Sequence, residues 1–159
     1  MVHARPPGDP RDRVMLLPDG RRLGYRTYGP SSAPAVLAFH GTPGSRCSWD
    51  FLDGPARDTG VRVVAPDRPG IGLSDDMLVR GIVDWPGDII RLVDDLEIQR
   101  FAVVGWSGGA PYALACGALV PDRVRAVAVV SGIGPIDRDG ALGGMGRTER
   151  SALRLTHRA

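Results

Sequence analysis

Val103-Val104-Gly105-Trp106-Ser107-Gly108-Gly109-Ala110 is the stretch on which the reading of this chain turns. Upstream of it, Phe101 to Val104 is an apolar run of strand length, and downstream an alanine-rich helical run opens at Gly108. Ser107 thus stands where the chain must reverse, in a Gly-x-Ser-x-Gly strand-turn-helix arrangement that lifts its Oγ above the edge of a sheet. A serine in such a turn takes a strained backbone, and Gly105 and Gly109 fall where a Cβ would collide with the neighbouring turn. The pattern makes Ser107 a candidate nucleophile.

Outward from this turn, the same alternation repeats. Ala35 to Phe39 and Val61 to Ala65 are apolar on both faces, as strands covered from both sides must be. Asp84 is placed to cap a helix running to about Ile98, with Ile89, Leu92, Val93 and Leu96 at i, i+3, i+4, i+7 spacing. A helix to about Leu119 follows the serine turn, kept thin by Ala110, Ala113, Ala115 and Ala118, and Val124 to Val130 reads as a further strand. Strand then helix, three times over, predicts right-handed crossovers and a mostly parallel, doubly wound α/β sheet. Its start is antiparallel, because Pro18-Asp19-Gly20 lies between the extended runs Val14 to Leu17 and Arg22 to Tyr28. Ser48 is expected to cap a short helix that Gly54-Pro55 breaks. Residues 1–12 read as a flexible tail, 13–137 as the core, and 138–159 as the start of a cap or a C-terminal tail with an Arg-rich helical run over 148–158.

With 159 residues, 43% hydrophobic and 24% charged, the chain has the composition of one globular domain. Its net charge of +2 and scattered arginines, with no lysine, give no nucleic-acid footprint. Neither Cys47 nor Cys116 belongs to a ligand pattern, and Cys116 falls on an alanine-lined helix face as a buried inert thiol. There is no secretory h-region and no run of membrane-spanning length, so a cytoplasmic protein that neither enters nor spans a membrane is expected. No lysine means no Gly-x-x-x-x-Gly-Lys, and the Gly143-Gly144-Met145-Gly146 cluster lacks the strand and spacing of a dinucleotide loop.

Three loops in order, each after a predicted strand, carry a resemblance: His40-Gly41-Thr42-Pro43-Gly44, Asp67-Arg68-Pro69-Gly70-Ile71-Gly72-Leu73-Ser74 and Gly105-Trp106-Ser107-Gly108-Gly109. Over roughly Val14 to Asp137 the chain resembles the first six strands of the α/β-hydrolase fold. The resemblance implies a serine hydrolase, esterase-like, acting on a small ester-like acyl substrate without metal or organic cofactor. It implies that the backbone N–H groups of Thr42 and Gly108 form an oxyanion hole. His40 is then a brace for its loop and not the general base, and Asp67 and Arg68 pair with each other or bond to loop backbone. Trp106 becomes a pocket or cap contact. A serine at 107 argues against epoxide hydrolase or haloalkane dehalogenase chemistry, because related families place an aspartate there.

The resemblance also implies a cap and two further strands, the last carrying the catalytic histidine, beyond what this chain contains. Chain order allows Ser107, Asp137 and His157 as nucleophile, acid and base, although His157 falls where a first cap helix is expected. Loss of the base costs about 10⁶ in turnover in a serine triad, so the chain read this way is nearly inactive. Three classes stay open: a serine hydrolase represented by its N-terminal part, a non-catalytic remnant or binding module, and one half of a split hydrolase. The sixth strand is expected to leave an exposed sheet edge, open to a complementing chain or to self-association.

Overall fold

The computed structural model describes residues 8–77, 81–135, 140, 143, 146 and 148. Six strands form one sheet in the order β1-β2-β4-β3-β5-β6. They are β1 (Asp12–Leu16), β2 (Arg22–Tyr28), β3 (Ala35–Phe39), β4 (Arg62–Pro66), β5 (Phe101–Trp106) and β6 (Val124–Val130). The β1–β2 and β2–β4 pairs are antiparallel, while β3 pairs in parallel with β4 and β5, and β5 with β6. The α/β architecture with an antiparallel start expected from the alternation is the one observed. The first hairpin closes through Gly20 at a φ of 86°, a left-handed conformation that glycine enters without steric penalty.

Alternation along the central strands sends side chains to two cores. Leu37, Phe39, Val64, Phe101 and Val103 face α2 (Trp85–Asp95) and α3 (Ala110–Leu119), where they meet Ile89, Leu92, Val93, Ala113 and Cys116. On the other face Ala38, Val63 and Ala65 pack with Tyr28, Trp49 and Ala56, under a 3-10 turn (Arg46–Leu52) and α1 (Asp53–Asp58). Trp85 binds the first core together edge-on, 5.5 Å from the Phe39 ring and 5.9 Å from Tyr112.

Several local expectations are corrected. Asp12 is part of β1 and buried, so order begins ahead of Val14, and Asp9 and Arg11 are ion-paired. Ser45 caps the turn at Arg46–Leu52, and Ser48 serves as the reciprocal partner, its Oγ accepting from Ser45 N at 3.2 Å. Gly54-Pro55 opens α1 and does not break it, since a proline in the first helical turn gives up an N–H that has no intrahelical acceptor. Asp84 spends its carboxylate on Gly81 N at 2.7 Å, closing a 3-10 turn that leads into α2 instead of capping α2 itself. α2 ends at Asp95, and Glu97 turns the chain at a φ of 56°.

Candidate active site

The C-terminal ends of β3, β4 and β5 bring the three loops together. β5 pairs with β3 so that Gly105 lies beside Phe39, which sets the serine turn next to His40-Gly41-Thr42. Ser107 follows β5 at a φ of 51°, starts a 3-10 turn (Ser107–Gly109), and leads directly into α3. The crowding around it explains the glycines. A Cβ on Gly105 would lie 2.6 Å from Gly109 O and 2.7 Å from Ala110 Cα, and one on Gly109 would run into Phe39 O. A Cβ on Gly41 would stand 3.2 Å from Ser107 Cβ. Backbone meets backbone here, and any side chain would push the turn off the sheet.

Thr42 and Gly108 face one another. The position a Cβ of Gly108 would take is 2.7 Å from Thr42 Oγ1 and 3.4 Å from Thr42 N. Gly108 also precedes α3, whose first N–H groups carry the positive end of the helix dipole.

Arg68, nearly buried, extends from the loop after β4 between these pieces. Its guanidinium donates to Gly108 O at 3.1 Å, to Gly41 O at 3.0 Å and to Thr42 Oγ1 at 2.8 Å, and it stacks 5.0 Å from the centre of the Tyr112 ring. His40, fully buried, accepts at Nε2 from Arg68 N at 3.2 Å. That leaves Nδ1 as the protonated nitrogen, which donates to Gly41 O at 2.9 Å. With both ring nitrogens engaged in the loops, His40 braces them.

Of the two expectations for Asp67 and Arg68, bonding to loop backbone holds for both, and they do not pair with each other. Asp67 accepts from Arg46 N at 2.6 Å, Arg46 Nη1 at 2.8 Å and Leu73 N at 2.9 Å. Arg46 in turn pairs with Asp12, Asp12 with Arg26, and Arg26 with Asp50, which also accepts from the Tyr28 hydroxyl. Hydrogen bonds from Arg46, and after them those from Arg26, hold the Asp12 carboxyl down to about 2 against its desolvation. This chain of charges, buried from Asp67 to Arg26 and reaching the surface at Asp50, pins the loop after β4 to β1 and β2. Sequence reasoning missed it: Asp12 and Arg46 are 34 residues apart, and nothing local marks either as buried.

Next to Ser107 in sequence, Trp106 is 41% exposed and meets Trp49 at 6.1 Å, and the ring of Phe51, 66% exposed, lies 6.1 Å from that of Trp49. Cys116 is buried and its thiol is pushed up to about 12 by desolvation, while Cys47 is exposed. Asp137 and His157 lie outside the described residues, as does the run expected over 148–158 beyond residue 148. Among the described residues His40 is the only histidine, no group of His, Cys, Asp or Glu could hold a metal ion, and no helix is long and apolar enough to cross a membrane.

Comparison with known proteins places this geometry among relatives. A family model described as alpha/beta hydrolase fold matches residues 34–143. An epoxide hydrolase of Caballeronia sordidicola is 34% identical over 99 residues, covering 60% of this chain and 30% of its own length. A putative 2-succinyl-6-hydroxy-2,4-cyclohexadiene-1-carboxylate synthase of Bacillus subtilis is 30% identical over 116 residues, covering 71% of this chain and 42% of its own. The chain therefore spans between about three tenths and two fifths of the length of these curated relatives. Among solved structures, epoxide hydrolase A from Mycobacterium thermoresistibile superposes with a TM-score of 0.67 at 28% identity, over 91% of this chain and 44% of that one.

Proposed function

The chain belongs to the alpha/beta hydrolase fold family, and from that premise we propose that it carries the nucleophile and oxyanion hole of a serine hydrolase acting on a small ester-like acyl substrate. One observation supports this above the others: Ser107 sits at a positive φ on the strand-to-helix turn, with Thr42 and Gly108 facing each other beside it. In the proposed reaction Ser107 Oγ bonds to the carbonyl carbon as its proton passes to a base. The carbonyl π pair moves onto oxygen, where the N–H groups of Thr42 and Gly108 receive the charge. Collapse expels the alcohol with that proton, and water then cleaves the acyl-serine to release the acid.

The residue at 107 also bears on the relatives named as epoxide hydrolases. A hydroxyl that opens an epoxide leaves an ether on the enzyme, which water does not cleave, whereas a hydroxyl that attacks an ester leaves another ester. Ser107 thus favours acyl transfer. The exposed aromatic surface of Trp106, next to Ser107 in sequence, suits an apolar acyl or alcohol group.

On this reading the base for Ser107 lies outside the described residues: on the further strands of a longer hydrolase, in a complementing chain, or at His157 with Asp137 as its acid. The engagement of both His40 ring nitrogens keeps the other readings in play, a non-catalytic binding module or one half of a split hydrolase. A fluorophosphonate probe and p-nitrophenyl acetate separate them. Slow labelling that disappears in Ser107→Ala, with negligible turnover, is the expected result for the nucleophile without its base. Rapid turnover abolished by His157→Ala would place the base in this chain, and no labelling of Ser107 would sink the hydrolase reading.

A further inference from the structure

We propose that Arg68 is the positioning residue of the oxyanion hole, a clamp that aims the Thr42 N–H at the site and fixes its distance from Gly108; this rests on the reading of Thr42 and Gly108 as the oxyanion donors. Thr42 N–H and Gly41 C=O belong to the same peptide group, and in a trans peptide the two point in opposite directions. Whatever holds Gly41 O therefore sets where Thr42 N–H points. Two donors hold it from behind, Arg68 Nη2 at 3.0 Å and His40 Nδ1 at 2.9 Å. Arg68 brings a full positive charge to that carbonyl, which polarises the peptide and strengthens its N–H as a donor.

The same guanidinium spans the two halves of the hole. Nη2 also donates to Thr42 Oγ1 at 2.8 Å, and Nη1 donates to Gly108 O at 3.1 Å, so one planar group ties the loop after β3 to the turn after β5. The two halves come from segments 66 residues apart in sequence, and their spacing would otherwise depend on the packing of two glycine-rich loops. A lysine could carry the charge, but a single ammonium on a flexible stem lacks the rigid fork that reaches both segments. Tyr112, on the first turn of α3, lies against the guanidinium 5.0 Å from the ring centre and holds its plane. Arg68 itself touches no reacting atom in this scheme.

The test uses the full 159-residue chain and a fluorophosphonate probe, which bonds phosphorus to Ser107 Oγ with loss of fluoride and seats its phosphoryl oxygen in the hole. Arg68→Ala is expected to label about tenfold to a hundredfold more slowly than the unaltered chain, up to the range set by loss of a whole oxyanion donor. Millimolar guanidinium ion is expected to restore part of that rate, and Arg68→Lys to stay closer to Arg68→Ala than to the unaltered chain. In ¹⁵N-resolved spectra the Thr42 amide should move in both variants while the Leu92 and Val93 amides, in the far core, stay in place. Labelling at the unaltered rate in Arg68→Ala overturns the clamp. So does slow labelling with neither guanidinium rescue nor displacement of the Thr42 amide. If Arg68→Ala does not fold, the Thr42 amide of Arg68→Lys decides, and an unmoved resonance counts against the proposal. If the unaltered chain fails to label Ser107, the nucleophile reading falls; the clamp then stands if the Thr42 amide moves in the variants and falls if it does not.

Discussion

Ser107 holds a φ of 51°, a left-handed conformation that costs an L-residue about 1–2 kcal/mol. The cost is met by packing around the turn, and its consequence is measurable. Ser107→Gly is expected to raise stability by about 0.5–1 kcal/mol in urea unfolding, the relief being partly offset by the glycine's freedom in the unfolded chain, while fluorophosphonate labelling disappears. Gly108 carries a different constraint. Its Cβ position lies 2.7 Å from Thr42 Oγ1, so Gly108→Ala must push aside the Thr42 side chain, which Arg68 holds at 2.8 Å, and with it disturb the proposed oxyanion hole. Labelling in that variant is expected to fall by about 10²–10³ with the unfolding midpoint little changed, measured by probe kinetics beside thermal melts. The requirement for glycine at 105 and 109 was legible from the motif alone. That Gly108 meets Thr42 was implied only by the family resemblance, because the contact joins loops distant in sequence, and the closeness of the approach came from the structure.

Among the elements, the buried ion pairs do for the loop after β4 what apolar packing does for the sheet. Arg46 holds both Asp12 and Asp67, whose side chains are 2% and 0% exposed. Arg46→Met would leave Asp67 without its charged partner and Asp12 with Arg26 alone, and is expected to cost about 3–5 kcal/mol in chemical denaturation. The pH dependence follows from the direction of the shift. Asp12 titrates at about 2 in the folded chain and near 3.8 unpaired, so its stabilising contribution is complete above about 4 and is lost as pH falls through about 2. Asp50 and Asp75 are shifted the same way, Asp50 against its own desolvation by hydrogen bonds from Arg26 and Tyr28, and Asp75 by Arg22. Circular dichroism across that window should show acid unfolding whose slope is reduced in Asp12→Asn. None of this was readable from sequence, since an Asp in a strand and an Arg in a turn look like solvated residues until the chain folds them against each other.

Across the whole molecule the sheet is covered unevenly. β6 pairs with β5 on one side and has no second strand among the described residues, and Val127, Val129 and Val130 are 38%, 46% and 48% exposed. An apolar edge of this kind is a template for further pairing. Sedimentation velocity is expected to show association that grows with concentration and recedes in Val130→Lys; an unaltered chain that stays monomeric at high concentration would count against it. The fold class was legible without coordinates: strand-length apolar runs alternating with helices of period 3.6 and an Asp-Gly turn specify a doubly wound sheet, because each is a local rule of backbone sterics and burial, and the three loops in order added the resemblance to the family. Of the candidate site, Gly-x-Ser-x-Gly was legible from the turn it makes, whereas the roles of Thr42 and Gly108 were implied by the resemblance to the family. What only the tertiary structure decided is who meets whom: that Arg68 crosses from the loop after β4 to Gly41, Thr42 and Gly108, that Asp67 belongs to Arg46, and that Asp12 is core and not tail. Charged side chains carry no periodic signature of their partners, and their pairing is set by which loops the sheet brings to one end.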